Sequence, residues 1–233
     1  MINNREIASI LPNVTVVIPT FNEAGNLSYV LSRIPPLVGE IIIVDGHSTD
    51  DTVALARKLC PRAKLIYQEE KGKGDALRTG FKDSTGDIIV TIDADGSMDP
   101  EEIHRFIKPL TDGCDFVKGS RFLPGGGTTD APMHRIIGNW GLAKLTNLLY
   151  GSRYTDVTYG YNALSKRCLE MIELRSAGFS AETEMSIKVK KARLRITEVP
   201  SYESPRLSGE AKLHSIRDGW RILRTIVGER FRN

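Results

Sequence analysis

Short apolar runs alternate with amphipathic stretches along the first half of the chain. The apolar runs predict strands at 14–19, 40–45, 64–67, 87–93 and 115–119. The stretches between them have helical periodicity and predict helices at about 24–34, 50–60, 74–83 and 100–111. Short, continuously apolar strands separated by helices are typical of parallel sheets that are covered on both faces. The first half therefore predicts an α/β fold, with a mostly parallel central sheet flanked by helices on both faces.

The second half of the chain has a less regular pattern. A glycine-rich stretch predicts a loop at 124–132, and helices are predicted at 135–150, 166–174, 181–192 and 215–231. Strands are predicted at 155–163 and 195–200. Because neither an internal repeat nor a low-complexity segment divides the sequence, we interpret the two halves as one domain.

An acidic triplet, Asp93-Ala94-Asp95, comes at the end of the strand predicted at 87–93. Carboxylates beside a β-core are costly to bury unless a cation compensates their charge. Residues two apart in extended backbone point the same way, so Asp93 and Asp95 are predicted to bind one divalent cation. A hard cation with few protein ligands usually completes its coordination with phosphate oxygens. The triplet therefore predicts an enzyme that handles a diphosphate with Mg²⁺ or Mn²⁺.

Composition and charge exclude several other classes of protein. The 233 residues carry a net charge of +3, which is too small to indicate nucleic-acid binding. No apolar stretch approaches the roughly 20 residues that span a bilayer, and the N-terminal segment lacks the order of a signal peptide. The three cysteines lie far apart without CxxC spacing, which argues against structural zinc and a disulfide framework. These features predict a cytoplasmic protein without a nucleic-acid partner.

Three further segments carry side chains suited to a nucleotide. Glu23 follows the first strand, where a dinucleotide dehydrogenase would have GxGxxG, and Asp45 ends the second strand. The alternatives are a first-turn helix acid for Glu23 and a turn residue for Asp45. In EKGKGDALRTG at 70–80, glycines permit close backbone approach, and Lys71 and Lys73 are candidates to oppose a diphosphate. A simple basic turn is the alternative for that segment.

Four segments, taken in order, resemble glycosyltransferase family 2. They are PTFNE at 19–23, VDGHSTD at 44–50, GKGDALRTG at 72–80 and DADGSMDP at 93–100. The second half is similar to the dolichol-phosphate mannose synthase branch, in GSRF at 119–122, TDVTYGYNALSK at 155–166 and ITEVPSYESPRLSGEAKL at 196–213. The resemblance implies a GT-A type nucleotide-binding fold in a single domain over 1–233. Within it, 1–120 would bind the nucleotide sugar, 121–214 the acceptor, and 215–233 would form an amphipathic helix.

The resemblance also implies roles for individual residues. The base and ribose would be lined by Pro19, Phe21, Glu23, Ile43 and Asp45. The diphosphate and its metal would be bound by Asp93, Ala94 and Asp95, with Asp93 and Asp95 as the metal ligands. The family's basic residues around the donor diphosphate and the acceptor phosphate correspond to Arg121, Arg206 and Lys212, which with Asp95 form the expected catalytic set.

The expected reaction is an inverting, metal-dependent transfer of a hexose from a nucleotide sugar, of the GDP-mannose or UDP-glucose type, to polyprenyl or dolichyl phosphate. An alcohol acceptor would need a general base, whereas a phosphate acceptor is already anionic and needs cationic positioning. Glu182 and Glu184 are candidates for a base, with first-turn helix acids as the alternative. A same-fold enzyme with a soluble acceptor and a non-catalytic nucleotide-sugar-binding subunit are the competing hypotheses. Both acids of the DAD triplet are present, which argues against the second.

The C-terminal segment predicts an amphipathic helix. Ile216, Trp220, Leu223, Ile226 and Val227 form one apolar stripe, with arginines mostly around it. Such a helix is suited to lie on an anionic membrane surface close to a lipid substrate. The alternative is an ordinary helix packed on the domain. Membrane contact is therefore predicted to be peripheral, on the cytoplasmic face.

Overall fold

Seven strands form the central sheet of the computed structural model, which describes residues 12–210, 212 and 214–232. In chain order the strands are β1 (Val14–Thr20), β2 (Val38–Asp45), β3 (Lys64–Tyr67), β4 (Ile88–Thr91), β5 (Phe116–Ser120), β6 (Gly127–Thr128), β7 (Asn162–Ser165), β8 (Ile196–Pro200) and β9 (Tyr202–Glu203). The central order is β3-β2-β1-β4-β7-β5-β8, and β6 pairs separately with β9. Neighbouring strands of the central sheet are parallel except at β7, which is antiparallel to β4 and β5. The sheet is mostly parallel, as predicted.

Helices cover both faces of this sheet. They are α1 (Leu27–Ser32), α2 (Thr52–Leu59), α3 (Lys73–Asp83), α4 (Ile103–Thr111), α5 (Met133–Tyr150), α6 (Lys166–Met171), α7 (Ala181–Lys191) and α8 (Ser215–Glu229), with a 3₁₀ turn at Pro100–Glu102. Apolar side chains of α1, α2 and α4 pack together on one face, and those of α3, α5, α6 and α7 on the other. The predicted arrangement of helices on both faces is therefore confirmed.

The packing of β1 explains why its sequence is apolar at successive positions. Val16 and Ile18 pack in the cluster on one face, whereas Val17 packs in the cluster on the opposite face, and all three are fully buried. Side chains of a strand alternate between faces, so only a strand covered on both sides is apolar at successive positions. Helix α3 comes so close that a Cβ atom at Gly80 would lie 2.3 Å from a methyl group of Val17.

Residues 155–161 do not form the first part of the strand predicted at 155–163, which was wrong there. Only the segment from Asn162 enters the sheet. Side chains satisfy the preceding backbone: Glu198 accepts hydrogen bonds from the N–H groups of Thr155 and Asp156, and Asp156 accepts them from residues further along the loop. Because carboxylates replace the ladder bonds of a sheet, the apolar and aromatic residues of this stretch stay in a loop.

Two other predictions for the second half need adjustment. The helix predicted at 166–174 ends at Met171, and the next segment continues in extended backbone from Ile172. The predicted loop at 124–132 contains strand β6, which pairs with β9. Residues 1–11, over which the sequence predicts no signal peptide, lie outside the described residues. Within the described part of the chain, no helix combines the length and apolarity needed to span a bilayer.

Candidate active site

The candidate site lies at the carboxyl ends of β1, β2 and β4, where ligands gather in open α/β sheets. Asp45 is the last residue of β2 and is fully buried. Its carboxylate accepts hydrogen bonds from the hydroxyl of Thr20 at 3.1 Å, and from the N–H and hydroxyl groups of Ser48 at 2.8 and 2.6 Å. The predicted turn role of Asp45 is therefore present in the structure. Its contact with a ribose or base stays a prediction.

The other residues predicted to line the nucleotide differ in accessibility. Phe21 is 47% exposed at the end of β1, and the ammonium group of Lys212 lies 5.2 Å from the centre of its ring. Pro19, in β1, is partly exposed. Ile43 is fully buried in the hydrophobic core, because its side chain points between the sheet and the helices. Ile43 is therefore part of the core beneath the site and is not exposed at its surface.

Glu23, just after β1, contacts two basic residues from the C-terminal part of the chain, Arg206 and Lys212. Its carboxylate is 2.8 and 3.0 Å from Nη2 of Arg206, and one of its oxygens is 2.7 Å from Nζ of Lys212. Asn26 donates a further hydrogen bond to the same carboxylate at 2.6 Å. Glu23 is only 6% exposed, so two cations offset a carboxylate that would otherwise be costly to bury. Arg206 and Lys212 are thereby held next to the start of α1.

The acidic triplet lies in a turn beyond β4, which ends at Thr91. The assumption that Asp93 and Asp95 extend the strand was therefore wrong, and the turn directs the two carboxylates to different cations. Asp95 accepts a hydrogen bond from the N–H of Ser97 at 3.0 Å, and its other oxygen is 3.8 Å from Nη2 of Arg206. Asp93 instead lies 2.5 Å from Nζ of Lys73. Ala94, between them, is buried in the core.

Burial raises the pKa of Asp93 to about 6, with the charges of Asp95 and Glu182 acting in the same direction and Lys73 opposing them. The side chains of Asp93 and Asp95 are 26% and 27% exposed, so both are reachable from solvent. Two partly exposed carboxylates with an electrostatic repulsion between them fit a hard divalent cation, which prefers oxygen ligands and completes its shell with phosphate and water. Within the described residues, this turn included, no group of three or more histidine, cysteine or acidic side chains is arranged to hold a metal, so the site would supply only two carboxylates.

The glycines of segment 70–80 have a different partner from the predicted diphosphate. Gly74 donates a backbone hydrogen bond to the carbonyl of Ala177 at 2.7 Å, and a Cβ atom at Gly74 would lie 1.9 Å from the carbonyl oxygen of Ser176. The glycines therefore permit close packing of α3 against the loop before α7. Lys71 is exposed, whereas Lys73 points inward between carboxylates. An approach of this loop to a diphosphate stays a prediction.

Arg121 is held by a buried network whose acidic members were not among the predicted site residues. Asp156, which is fully buried, lies 2.7 Å from Nε of Arg121, and Glu203 lies 3.0 Å from its Nη1. Although burial raises the pKa of Asp156, Arg121 and neighbouring donors hold that pKa below its usual value. The sequence feature that could have identified Asp156 is its position in the TDVTYGYN motif. A single aspartate among apolar and aromatic residues is costly to bury unless a cation pairs with it.

Glu182 and Glu184, the candidates for a general base, are both buried in the first turn of α7. Glu184 accepts hydrogen bonds from the N–H groups of Arg175 and Ser176 at 2.7 to 3.1 Å and pairs with Lys188 at 2.9 Å. Glu182 pairs with Lys73 at 2.7 Å. Both carboxylates therefore have structural partners.

Comparisons with known proteins agree with this architecture. The dolichol-phosphate mannosyltransferase of Pyrococcus furiosus is 35% identical over 215 residues, which cover 86% of this chain and 59% of that protein. The undecaprenyl-phosphate mannosyltransferase of Micrococcus luteus is 32% identical over 212 residues, which cover 86% of this chain and 87% of that protein. The chain therefore spans less than two thirds of the archaeal relative.

Among solved structures, glucosyl-3-phosphoglycerate synthase from Mycobacterium tuberculosis, crystallised with Mn²⁺, uridine diphosphate and phosphoglyceric acid, matches with a TM-score of 0.77. The match covers 99% of this chain and 83% of that one at 23% identity, and it confirms the expected GT-A fold. Residues 15–171 match the family model described as Glycosyl transferase family 2. With that match and the identity to both mannosyltransferases, the chain belongs to glycosyl transferase family 2.

Proposed function

We propose that this protein transfers a hexose from a nucleotide sugar to a polyprenyl phosphate, with inversion at the anomeric carbon and with a divalent metal. The observation that carries the proposal is the position of Arg206, which lies 3.8 Å from Asp95 of the Asp93-Ala94-Asp95 turn (the DAD turn) and is joined through Glu23 to Lys212. Two cations at a partly exposed carboxylate pair suit a nucleoside diphosphate leaving group. The names of the two mannosyltransferase relatives support a lipid phosphate as acceptor. The donor is of the GDP-mannose or UDP-glucose type.

Asp93 and Asp95 would hold the Mg²⁺ or Mn²⁺, which supplies Lewis-acid stabilisation of the departing diphosphate. Arg206 would add positive charge at the same leaving group, because it lies 3.8 Å from Asp95 of the turn, and Lys212 is joined to it through Glu23. Arg121, the basic residue expected in the acceptor half, is fixed by Asp156 and Glu203, and these two carboxylates offset its charge. A donor bound in this way has Glu23 and Asp45 near its nucleoside and Asp93 near its sugar.

A phosphate acceptor fits the acid–base groups of the site. The attacking oxygen of a phosphate monoester carries negative charge near neutral pH, so attack from the face opposite the diphosphate needs no proton acceptor. Glu182 is paired with Lys73, and Glu184 binds two backbone N–H groups. Because neither carboxylate is available as a simple base, an alcohol acceptor is the less suitable substrate.

Two helices form an exposed apolar face beside the acceptor half. Helices α5 and α8 run side by side, with His134 contacting Ser215 near their starts and Tyr150 donating a hydrogen bond to the carbonyl of Ile226 near their ends. The two-helix face consists of exposed apolar residues of both helices, namely Met133, Ile137, Trp140, Ile216, Trp220 and Val227. Exposed basic residues flank it, namely Lys144, Arg217, Arg221 and Arg224. Apolar area with a basic rim suits an anionic membrane surface, which supports our proposal that the protein lies peripherally on the cytoplasmic face of the membrane.

The structure divides the predicted apolar stripe of the C-terminal helix into two parts. Ile226, predicted to face the membrane, is instead fully buried with Ile187 and Ile222. Ile216 and Trp220 are 81% and 60% exposed. The helix therefore packs on the domain with one side and leaves aromatic and aliphatic side chains on the other. The packing alternative holds for Ile226, and membrane contact stays a proposal for Ile216 and Trp220.

We expect the double variant Ile216→Glu, Trp220→Glu to bind vesicles containing phosphatidylglycerol at least about tenfold more weakly than the wild type. Each fully buried large apolar side chain is worth about 1.5–3 kcal/mol, and tenfold corresponds to about 1.4 kcal/mol. Co-sedimentation with vesicles measures the change. Leu59→Glu, at a side chain 42% exposed on α2, is the matched control and should leave binding unchanged. Equal binding of the double variant would remove the membrane role of this face.

The proposed function is tested by comparing acceptors that differ only in the phosphate. Undecaprenyl phosphate, dolichyl phosphate and the corresponding free polyprenols are incubated with Mn²⁺ and a panel of UDP- and GDP-sugars. We expect product from the lipid phosphates alone, because the described residues of the site include cations and because Glu182 and Glu184, the two candidate bases, are both paired. Product from the polyprenol at a similar rate would contradict the phosphate acceptor. Product only from a soluble phosphorylated acceptor would favour the same fold acting on a non-lipid substrate.

A further inference from the structure

Arg121 has a carboxylate on each of two sides of its guanidinium group. Its Nε and Nη2 atoms contact Asp156 at 2.7 and 3.1 Å, and Nη2 also donates to the hydroxyl of Thr158 at 2.9 Å. Its Nη1 atom lies 3.0 Å from Oε2 of Glu203, and the ring centre of Tyr159 lies 4.9 Å from the guanidinium carbon. The arginine side chain is 10% exposed. An anion that arrives from solvent therefore meets a guanidinium group with acidic partners already in place.

The two carboxylates differ in how firmly the protein holds them. Asp156 is fully buried, and it also accepts hydrogen bonds from the N–H groups of Thr158 and Tyr159 at 3.1 and 3.2 Å. The side chain of Glu203 is 13% exposed, and the hydroxyl of Thr128 donates a hydrogen bond to it at 2.6 Å. Because moving Asp156 would also break a buried loop, Glu203 is the carboxylate that can leave the arginine at lower cost.

The backbone of Glu203 is fixed on both sides, so only its side chain has to move. Glu203 ends the two-residue strand β9, and its carbonyl accepts a hydrogen bond from the N–H of Thr129 at 3.0 Å. On the opposite side it forms an antiparallel bridge with Met98, and the N–H of Ser204 donates to the carbonyl of Ser97 at 2.9 Å. A rotation of the Glu203 side chain toward solvent would therefore uncover Nη1 of the arginine without disturbing these pairings.

The charges around Arg121 do not favour an anion while Glu203 is in place. Arg121, Asp156 and Glu203 sum to −1 when all three are ionised. Two further charged residues lie near Asp156, namely Lys118 and Glu198, and their opposite charges offset each other. A guanidinium group binds phosphate strongly when a free pair of N–H groups faces the anion, and a neighbouring like charge opposes that binding. The divalent metal proposed at the DAD turn would attract an anion equally with and without Glu203.

We propose that Glu203 competes with the acceptor phosphate for Nη1 of Arg121, and that the phosphate binds this arginine after the Glu203 side chain has moved away. This rests on the proposed function, because it takes a phosphate monoester as the acceptor and Arg121 as one of its cations. Glu203 is then a specificity-determining residue that lowers the affinity of the acceptor half for anions. When the product leaves, the carboxylate returns to the arginine and satisfies its charge.

The test measures binding of methyl phosphate, a phosphate monoester without a lipid, to the wild type and to Glu203→Gln. Calorimetric titrations are made at about pH 7.5, where a monoester with a second pKa of about 6 is mostly dianionic. Mg²⁺ with UDP, or with GDP, is present in excess, so that the anion does not report on the proposed donor site. We expect Glu203→Gln to bind methyl phosphate at least about tenfold more tightly, because glutamine keeps the shape of the side chain and removes a like charge.

Glu102→Gln is the matched control. Glu102 lies in the 3₁₀ turn, its side chain is 11% exposed, and it pairs with a different arginine, Arg105, at 3.0 Å. This variant should bind methyl phosphate within about twofold of the wild type, since an ion pair elsewhere has little effect on the anion. Thermal unfolding shows which variants remain folded. Glu203→Asp, whose carboxylate is withdrawn by one methylene group, is a second variant, with an expected gain of about threefold.

The sign of the change decides the role of Glu203. Weaker binding of methyl phosphate by the Glu203 variants would overturn the inference in favour of a positioning role, in which the carboxylate orients Arg121 for the anion. Unchanged binding, or no measurable binding to Glu203→Gln, would overturn it in favour of a structural ion pair. In steady-state transfer, we expect the KM for undecaprenyl phosphate to fall in Glu203→Gln by about the same tenfold factor.

The methyl phosphate titrations contain no lipid and do not depend on transfer. Tighter binding by Glu203→Gln would therefore support the competition at Arg121 even if no glycolipid forms, in which case the proposed function alone fails. Conversely, a glycolipid product from wild type and Glu203→Gln, with equal affinity for methyl phosphate and equal KM for the lipid phosphate, would leave the proposed function standing and remove the role of Glu203.

Discussion

Replacing Asp95 with alanine is expected to lower the rate of hexose transfer by about 10²–10³-fold, the size typical of losing one preorganised group that stabilises transition-state charge. Of the two acids in the DAD turn, Asp95 is the one near Arg206: its Oδ2 lies 3.8 Å from Nη2 of the arginine. Its side chain is partly exposed to solvent. Without it, the proposed metal has one carboxylate fewer, and the negative charge that develops on the diphosphate is less well compensated. The measurement is the initial rate of glycolipid formation over a series of Mn²⁺ concentrations.

Asp112→Ala is the control for this variant. Asp112 follows α4 and forms an exposed ion pair with Lys108 at 2.8 Å, so its removal should leave the rate and the metal dependence unchanged. A rate for Asp95→Ala within about threefold of the wild type, at low as well as high Mn²⁺, would be inconsistent with a transition-state role worth several kcal/mol. It would also remove Asp95 from the set of metal ligands.

Asp156→Asn is expected to lower the free energy of unfolding by about 3 kcal/mol, the lower end of the cost of removing one partner from a buried ion pair, because Glu203 still pairs with Arg121. Asp156 is fully buried and accepts two hydrogen bonds from the guanidinium group of Arg121, at 2.7 and 3.1 Å. After the substitution, Glu203 is the remaining carboxylate on that arginine. Urea unfolding of wild type and variant at neutral pH measures the difference, and Asp112→Ala should unfold within about 0.5 kcal/mol of the wild type.

The Arg121–Asp156 pair also predicts how the free energy of unfolding changes with pH. The pKa of Asp156 is lower in the folded protein than the usual aspartate value of about 3.9 expected after unfolding. Its stabilising contribution is therefore complete above about pH 5 and is lost as the pH falls through the folded pKa. The difference between wild type and Asp156→Asn should shrink in acid. A difference below about 1 kcal/mol at neutral pH would place Arg121 outside any essential buried pair.

Local patterns predicted the first half of the fold well because its elements depend on local properties. Apolar runs such as Ile41–Val44 are buried on both faces of the sheet, so their sequence alone identifies them as strands. The loop at 155–161 shows the opposite case. Its backbone is satisfied by Glu198, about forty residues further along, and no local pattern carries that information.

Long-range packing also explains which site residues were interpreted differently. The glycines around Lys73 resemble a phosphate loop locally, but their close contact is with Ser176 and Ala177, about a hundred residues away. Ile226 belongs to a regular apolar stripe, yet only the packing of α8 against α7 decides that it faces inward. A helical stripe wide enough to serve two surfaces cannot be divided between them from spacing alone.

The carboxylates of the DAD turn were identified from their position after an apolar strand, and the structure adds their partners. Arg206 and Lys212 were paired with this region by resemblance, and their contacts with Glu23 give that pairing a physical basis. The partner of Asp93 could not be predicted from the sequence, because Lys73 lies at the start of α3, twenty residues before the turn. The contacts of these residues with nucleotide and sugar stay predictions.

The most direct test of the central claim is the mass of the lipid product. Purified protein is incubated with undecaprenyl phosphate, Mn²⁺ and the UDP- and GDP-sugar panel, and the lipid extract is examined by mass spectrometry. The account predicts a new species heavier than the lipid phosphate by one hexose residue, formed with one class of donor and abolished by removing the metal. Slow release of nucleoside diphosphate with no lipid product, for every donor tested, would contradict transfer to polyprenyl phosphate.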